Sequence, residues 1–309
     1  MSADVSGGIG VELRGLVVRY RSTVALDGID LTIEPGTITG LLGRNGSGKS
    51  TLLSVLAAFR RADAGTVLVD GEDPWENRHV TQQVCLIRES GDVLRDCRMS
   101  QTLEMAADVR PYFDRDFADR LMEVFELNPR TRPARLSRGK KSALGVVLGL
   151  ASRAPLTLLD EVHLGMDAPS RYAFYDALVA DYAAHPRTIV ISSHLIDEVQ
   201  RLLEHVVILD EGKVLTAEDL DSLRSRGVTV TGPADAVDAF VAGRRVIGRR
   251  TLGRTAQVTL FEDLTQDDEA AARTAGLELD GVDLQDLFVD LTARKASVGG
   301  GGHTQEGQR

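Results

Sequence analysis

Cysteine is scarce, basic residues are outnumbered, and no long apolar run occurs. The 2 cysteines among 309 residues, Cys85 and Cys97, are too few and too loosely placed for a disulfide framework or a cysteine-based metal cluster, which fits a reducing compartment. Lys and Arg total 36 against 46 Asp and Glu, a net charge of −10. That balance leaves no cationic footprint for a phosphate backbone, so nucleic acid is not an expected partner. The densest apolar stretch, Ala143 to Ala151, is about half the length a membrane-spanning helix needs and reads as a buried helix. The first residues, MSADVSGGIG, carry neither the basic nor the apolar region of a signal peptide, and the last, GGGGHTQEGQR, read as a solvated tail.

Against these absences stands GRNGSGKST, Gly43 to Thr51. Gly43, Gly48, Lys49 and Ser50 occupy the fixed positions of the phosphate-binding pattern G-x-x-x-x-G-K-[ST]. Gly46 and Gly48 let the backbone curl until its N–H groups face an anion, and the helix that follows aims its positive end at the same point. Lys49 brings a full charge to the β- and γ-phosphates, and Ser50 offers its hydroxyl to the Mg²⁺ that bridges them. The flanks supply the required context: ITGLL before the loop reads as a buried strand, and Leu52, Leu53, Leu56 and Phe59 after it recur at helical spacing. The whole loop, with Asn45, Ser47 and Thr51, is therefore expected to hold a nucleoside triphosphate.

Two antiparallel strands are expected in VELRGLVVRY and ALDGIDLTI, and TVLVD continues them. The continuous apolar runs VCLI, LTLLD, TIVIS and VVILD then alternate with helical stretches, which predicts an α/β core with a mostly parallel sheet. From Ser90 to Arg135 the pattern is amphipathic helix, with Phe117, Leu121, Val124 and Phe125 on one face and prolines 111, 129 and 133 as breaks. Beyond Leu220 a β-α-β-β-α-β order predicts a small ferredoxin-like unit with a last helix from Leu284, the plain alternative being a loose set of extensions that packs on the core. The expected fold is thus a P-loop NTPase core with an antiparallel β subdomain and a helical insertion, plus a small α+β C-terminal domain.

LTLLDE ends in two adjacent carboxylates whose side chains point to different sides. Asp160 suits Mg²⁺ held through water, and Glu161 suits orienting the attacking water and accepting its proton. LSRGK at Leu136 to Lys140, LGMD ending at Asp167, and SSHLIDEV from Ser192 complete an ordered set. Over residues 11 to 216 this set resembles the ATP-binding subunit of an ABC transporter. The closing LQDLFVDLTARK is similar to the tail of the subfamily that pairs with ABC-2-type exporter permeases.

The resemblance implies ATP as the nucleotide, Mg²⁺ as its metal, Tyr20 as the aromatic that stacks on adenine, and His194 as a switch histidine reaching the γ-phosphate. It implies that Ser137 and Gly139, with Asp167, serve the ATP of a second ATP-binding subunit, identical or homologous. It also implies a separate transmembrane permease, and a place on the inner face of the cell membrane through it. The domains that follow are an ATP-binding domain over 1–216 with its insertion at about 90–150, a small domain over 217–297, and a tail over 298–309. Three departures stand out. Glu89 occupies a position where the family has Gln, near Mg²⁺. Arg138 and Lys140 alter the signature, and Val162 and His163 replace Pro-Thr after Glu161, so that His163 is expected to titrate near the subunit contact. The alternatives are a degenerate subunit that supports a more active partner, and a soluble ATPase of the same type working outside transport.

Overall fold

The computed structural model describes residues 7–89, 93–94 and 96–293. The tail expected at 298–309, the first six residues, and Ser90, where the insertion is expected to begin, lie outside them. Two compact units divide the chain between Ser225 and Arg226.

In the first unit, β1 (Val11–Tyr20), β2 (Thr23–Ile33) and β4 (Ala64–Val69) form an antiparallel sheet in the order β2-β1-β4. A second sheet holds β3 (Ile38–Leu42), β5 (Val84–Arg88), β6 (Leu156–Asp160), β7 (Thr188–Ser193), β8 (His205–Asp210) and β9 (Lys213–Asp219), in the order β5-β6-β7-β3-β8-β9. Its first five strands are parallel and β9 runs antiparallel at the edge. Every residue of β3, β6 and β7 is buried. Strands covered on both faces need no polar alternation, which is why they read as unbroken apolar runs. Leu16, Leu26, Leu53, Val69, Leu158 and Leu209 belong to the core of this unit.

Helices α1 (Lys49–Leu56), α2 (Arg78–Gln83), α6 (Ala168–Ala184) and α7 (Ile196–Val199) connect these strands, and α8 (Leu220–Arg226) follows β9. The insertion is built from α3 (Met99–Val109), α4 (Arg115–Val124) and α5 (Arg138–Ala151). Ser142 to Ala151 are all buried, so the densest apolar stretch is a core helix. Two expected contacts differ. The buried face of α4 carries Ala118, Leu121 and Met122, continued by Phe125, whereas Val124 is exposed; the spacing 118, 121, 122, 125 leaves position 124 off the stripe. Helix α1 ends at Leu56, and Ala58 turns the chain with a φ of +57°, so Phe59 leaves the apolar face and is exposed.

The second unit runs β10 (Gly227–Pro233), α9 (Ala234–Val241), β11 (Val246–Leu252), β12 (Thr255–Phe261), α10 (Gln266–Thr274), β13 (Glu278–Gly281) and α11 (Leu284–Thr292). Its antiparallel sheet has the order β11-β12-β10-β13, the ferredoxin-like arrangement. Val230, Val237, Val258, Leu260 and Ala272 fill its core. The boundary expected at 216 falls inside β9, which pairs with β8 as far as Asp219 opposite His205.

Candidate nucleotide site

Strand register brings the chemistry together. Arg88 lies opposite Asp160, Asp160 opposite Ser192, and Leu42 opposite Ser193. The residues that follow each strand, Gly43, Glu89, Glu161 and His194, therefore leave the sheet at one carboxyl edge, where open α/β sheets bind ligands.

The loop after β3 is shaped by close approach. A Cβ on Gly43 would stand 2.4 Å from Ser47 Oγ and 2.5 Å from Leu209 O; Gly48 has a φ of +110°, and its Cβ would stand 2.7 Å from Ala25 O. No side chain caps α1 after Gly48. Its first N–H groups are left for an anion, which the helix dipole also favours. Ser47 Oγ is buried with no partner, a second unused polar group in the same cradle. Asn45, Gly46 and Ser50 are exposed and Thr51 is half-buried. This set fits a phosphate chain.

Lys49 is turned inward. Its Nζ donates to Gly43 O at 2.7 Å and Arg44 O at 3.2 Å, and it lies 3.3 Å from Glu161 Oε1. Glu161 holds a φ of +52°, an uncommon conformation for a side chain of this size, fixed by its N–H donating to Ser192 Oγ at 3.0 Å. Both carboxylate oxygens lie 3.1 Å from His194 Nδ1. A carboxylate only accepts, so that nitrogen carries the proton, and Nε2 is the atom left to face a ligand. Asp160 is buried, with Oδ1 accepting from Ser192 Oγ at 2.5 Å. Among the described residues no group of three or more His, Cys, Asp or Glu makes a metal cage. Ser50 and Asp160 instead fit a magnesium ion that takes its remaining ligands from phosphate and water.

Tyr20 ends β1 with 47% of its surface exposed, and the Arg60 guanidinium lies 5.1 Å from its ring centre. The signature residues face other tasks in the same chain. Ser137 caps α5 by accepting from Lys140 N–H at 3.3 Å. Asp167 caps α6 by accepting from Ser170 N–H at 3.0 Å, and the bonding by Ser170 holds its carboxyl below the usual value of 3.8. A Cβ on Gly139 would stand 2.6 Å from Gly165 O, so glycine is needed there for packing as well. Glu89 pairs with Arg138, joining two of the departures, and its carbonyl accepts from the buried Ser142 Oγ at 3.1 Å. His163 corrects another expectation. It is wholly buried, and burial lowers its pKa from 6.5, so it does not titrate at a surface. The Lys49–Glu161 contact and the His163 burial carry no sequence signal beyond the residue types.

Comparison with known proteins bears on the first unit most strongly. A family model described as ABC transporter matches residues 26–163. The ABC transporter ATP-binding protein YtrB of Bacillus subtilis (strain 168) is 32% identical over 220 residues, 71% of this chain and 75% of that protein. The methionine import ATP-binding protein MetN of Rhizobium johnstonii is 25% identical over 94% of this chain and 88% of its own. The Nod factor export ATP-binding protein I of Burkholderia pseudomallei is 27% identical over 66% of this chain and 68% of its own. A solved structure, that of an ATP-binding subunit of an ABC transporter, shares the fold with a TM-score of 0.63 at 24% identity, over 69% of this chain and 91% of that one. The matched stretch runs from β2 through the loop, the insertion and Glu161, and with the 32% identity to YtrB over three quarters of that protein it establishes that this chain belongs to the ATP-binding subunits of ABC transporters, which are ATPases.

Proposed function

We propose that this chain is the ATP-hydrolysing subunit of an exporter whose substrate path lies in a separate transmembrane permease, and that it works as one of two ATP-binding subunits on the inner face of the membrane. The observation that carries this reading is the cluster of Lys49, Glu161 and His194 at the mouth of the phosphate loop. In it the carboxylate neutralises the lysine. ATP seats its phosphates on the loop N–H groups and draws Lys49 to them, which releases Glu161 to orient the attacking water and take its proton. His194 turns Nε2 to the γ-phosphate, and Tyr20 stacks on the base, worth about 1 kcal/mol. Mg²⁺ held by Ser50 and Asp160 would neutralise charge on the phosphate oxygens. Glu89 would join that set only on leaving Arg138.

Two features support the partners. Ser137, Gly139 and Asp167 sit at the N-terminal turns of α5 and α6, where a helix end favours the phosphates of a second subunit. A groove of about 980 Å³, lined by Phe59, Leu94, Met105 and Val109 among others, borders the insertion and suits a permease segment. No helix among the described residues is long and apolar enough to cross a membrane, so the path is assigned to another chain. For outward direction the support is the likeness to a Nod factor export protein and to exporter tails; the methionine import relative argues the other way.

The test is co-expression with the membrane protein encoded beside this chain, then Mg-ATPase and transport assays on the purified complex and on Glu161→Gln. Hydrolysis lost in the variant, with substrate leaving loaded vesicles, supports the reading. Unchanged hydrolysis makes this chain the silent partner of a more active ATPase, the reading favoured by the Lys49–Glu161 contact if it persists with ATP. Failure to co-purify moves the weight to an ATPase working outside transport.

A further inference from the structure

Two cross-links join the loop after β6 to the end of β7 and the residue that follows it. One is the partly exposed contact between Glu161 and His194. The other lies deeper: His163, wholly buried, has Nε2 3.1 Å from Ser193 Oγ. That oxygen also accepts from Leu195 N–H at 2.9 Å. The hydroxyl keeps its own hydrogen and a second lone pair, so it bonds Nε2 in either tautomer of the ring. Nδ1 has no partner. The ring stands 6.4 Å from that of Tyr175, whose hydroxyl donates to Glu198 at 3.2 Å.

A buried ring nitrogen without a partner lowers stability, and an apolar side chain of similar size would fill the space without it. Filling space is thus a poor account of a histidine here. What the imidazole adds is Nε2, and what that atom holds is the residue beside His194. The charged and titratable groups around the ring are Glu161, Glu198, His194, Arg171 and Tyr175; desolvation outweighs the two carboxylates and favours the neutral ring.

We propose that His163 is a positioning residue for His194: it fixes Ser193 to the loop that carries Glu161, so that the His194 ring keeps its reach to the γ-phosphate when the Glu161–His194 contact opens. This deepens the reading above and rests on it. When ATP separates Glu161 from Lys49 and His194, the surface cross-link is lost and the buried one remains. The buried bond is the fixed point about which the histidine turns.

The permease complex tests this with His163→Leu, His163→Gln, His163→Asn and Ser193→Ala, each followed by kcat and KM for Mg-ATP, MgADP affinity and thermal melting. The Leu and Ala variants should lower kcat about ten- to a hundredfold, the scale of a misplaced group, with MgADP affinity unchanged. Gln carries its terminal amide where Nε2 lies and should restore kcat; Asn reaches only to Nδ1 and should not. The double variant His163→Leu with Ser193→Ala should lose no more than Ser193→Ala alone, because that change already removes the His163 bond along with the one from Leu195 N–H. Unchanged kcat in both single variants, additive losses, or a joint fall of kcat, MgADP affinity and melting temperature would each overturn the proposal. If His163→Leu does not fold, Ser193→Ala and the Gln variant still decide it. If Glu161→Gln and His194→Ala leave hydrolysis intact, the functional reading itself has failed; if they abolish it and the His163 variants do not, only this inference has.

Discussion

Two junctions on the same sheet edge carry charge in opposite settings. Where β6 and β7 end, the side chains of Lys49 and Glu161 are 6% and 12% exposed, and His163 lies beneath them. Where β5 meets α5, Glu89 and Arg138 are 33% and 72% exposed. In the first junction water is largely excluded, so charges act strongly on one another and an orphaned group is costly. In the second, solvent competes for both partners and salt screens what remains. The difference separates parts that a single substitution breaks from parts that it tunes.

The sharpest break is Glu161→Gln. It removes the charge that holds Lys49 and His194 together but keeps the side chain's size. Hydrolysis by the complex should fall about a hundredfold or more, while ATP binding, read by equilibrium titration, should hold or tighten because Lys49 no longer has a carboxylate to leave. Next in size is Gly139→Ala, which tests packing rather than charge. The new Cβ would meet Gly165 O at 2.6 Å, and a backbone atom cannot swing aside. A loss of about 1–3 kcal/mol is expected from urea denaturation. At Gly165 a Cβ would meet Ser142 Oγ at 2.6 Å and Arg138 Cγ at 3.1 Å, which are side-chain atoms that can shift. Gly165→Ala should therefore cost less.

Much of this architecture was legible in the sequence, for reasons that the two junctions illustrate. Runs such as ITGLL and LTLLD announce doubly covered strands, and GRNGSGKST needs its glycines wherever it occurs. The order of strands and helices after Leu220 gives the second unit, down to the ferredoxin-like sheet. Strand β9 was harder to see: KVLTAED alternates half-buried and exposed residues at a sheet edge, and its polar face hides it at the expected boundary. Helix α2 is 6 residues long, too short for a period to emerge. In the site, residue types and spacing locate Lys49, Glu161 and His194, but their mutual contacts come from register between strands far apart in the chain. Burial of His163 belongs to the same class, since nothing local distinguishes a ring beneath α6 from one at a surface.

The pH dependence of stability sharpens the comparison further. Burial holds the pKa of His163 below its ordinary 6.5, so below that pH the unfolded chain binds a proton that the folded chain does not. Stability contributed by the neutral ring is complete above 6.5 and is lost as pH falls through the unfolded value toward the folded one. Melting temperature should drop between about pH 7 and pH 5, the range in which histidine titrates. His163→Gln should flatten that slope.

The smallest effects are expected where Glu89 meets Arg138. Each departs from the family pattern and each contacts the other, so the pair should be read as one change. Glu89→Gln should retain nucleotide binding and alter turnover, because it releases Arg138. Arg138→Ala should resemble it if the pair acts as a unit. The double variant then gives a coupling energy, expected at roughly 0.2–1 kcal/mol and smaller in high salt, as for other exposed pairs. A larger coupling that resists salt would mean that water is excluded when ATP binds, and the β5 junction would then behave like the buried one. A coupling near zero would reduce Arg138 to a solvated side chain and leave the bond from the Ser142 hydroxyl to the Glu89 carbonyl as the tie between β5 and α5.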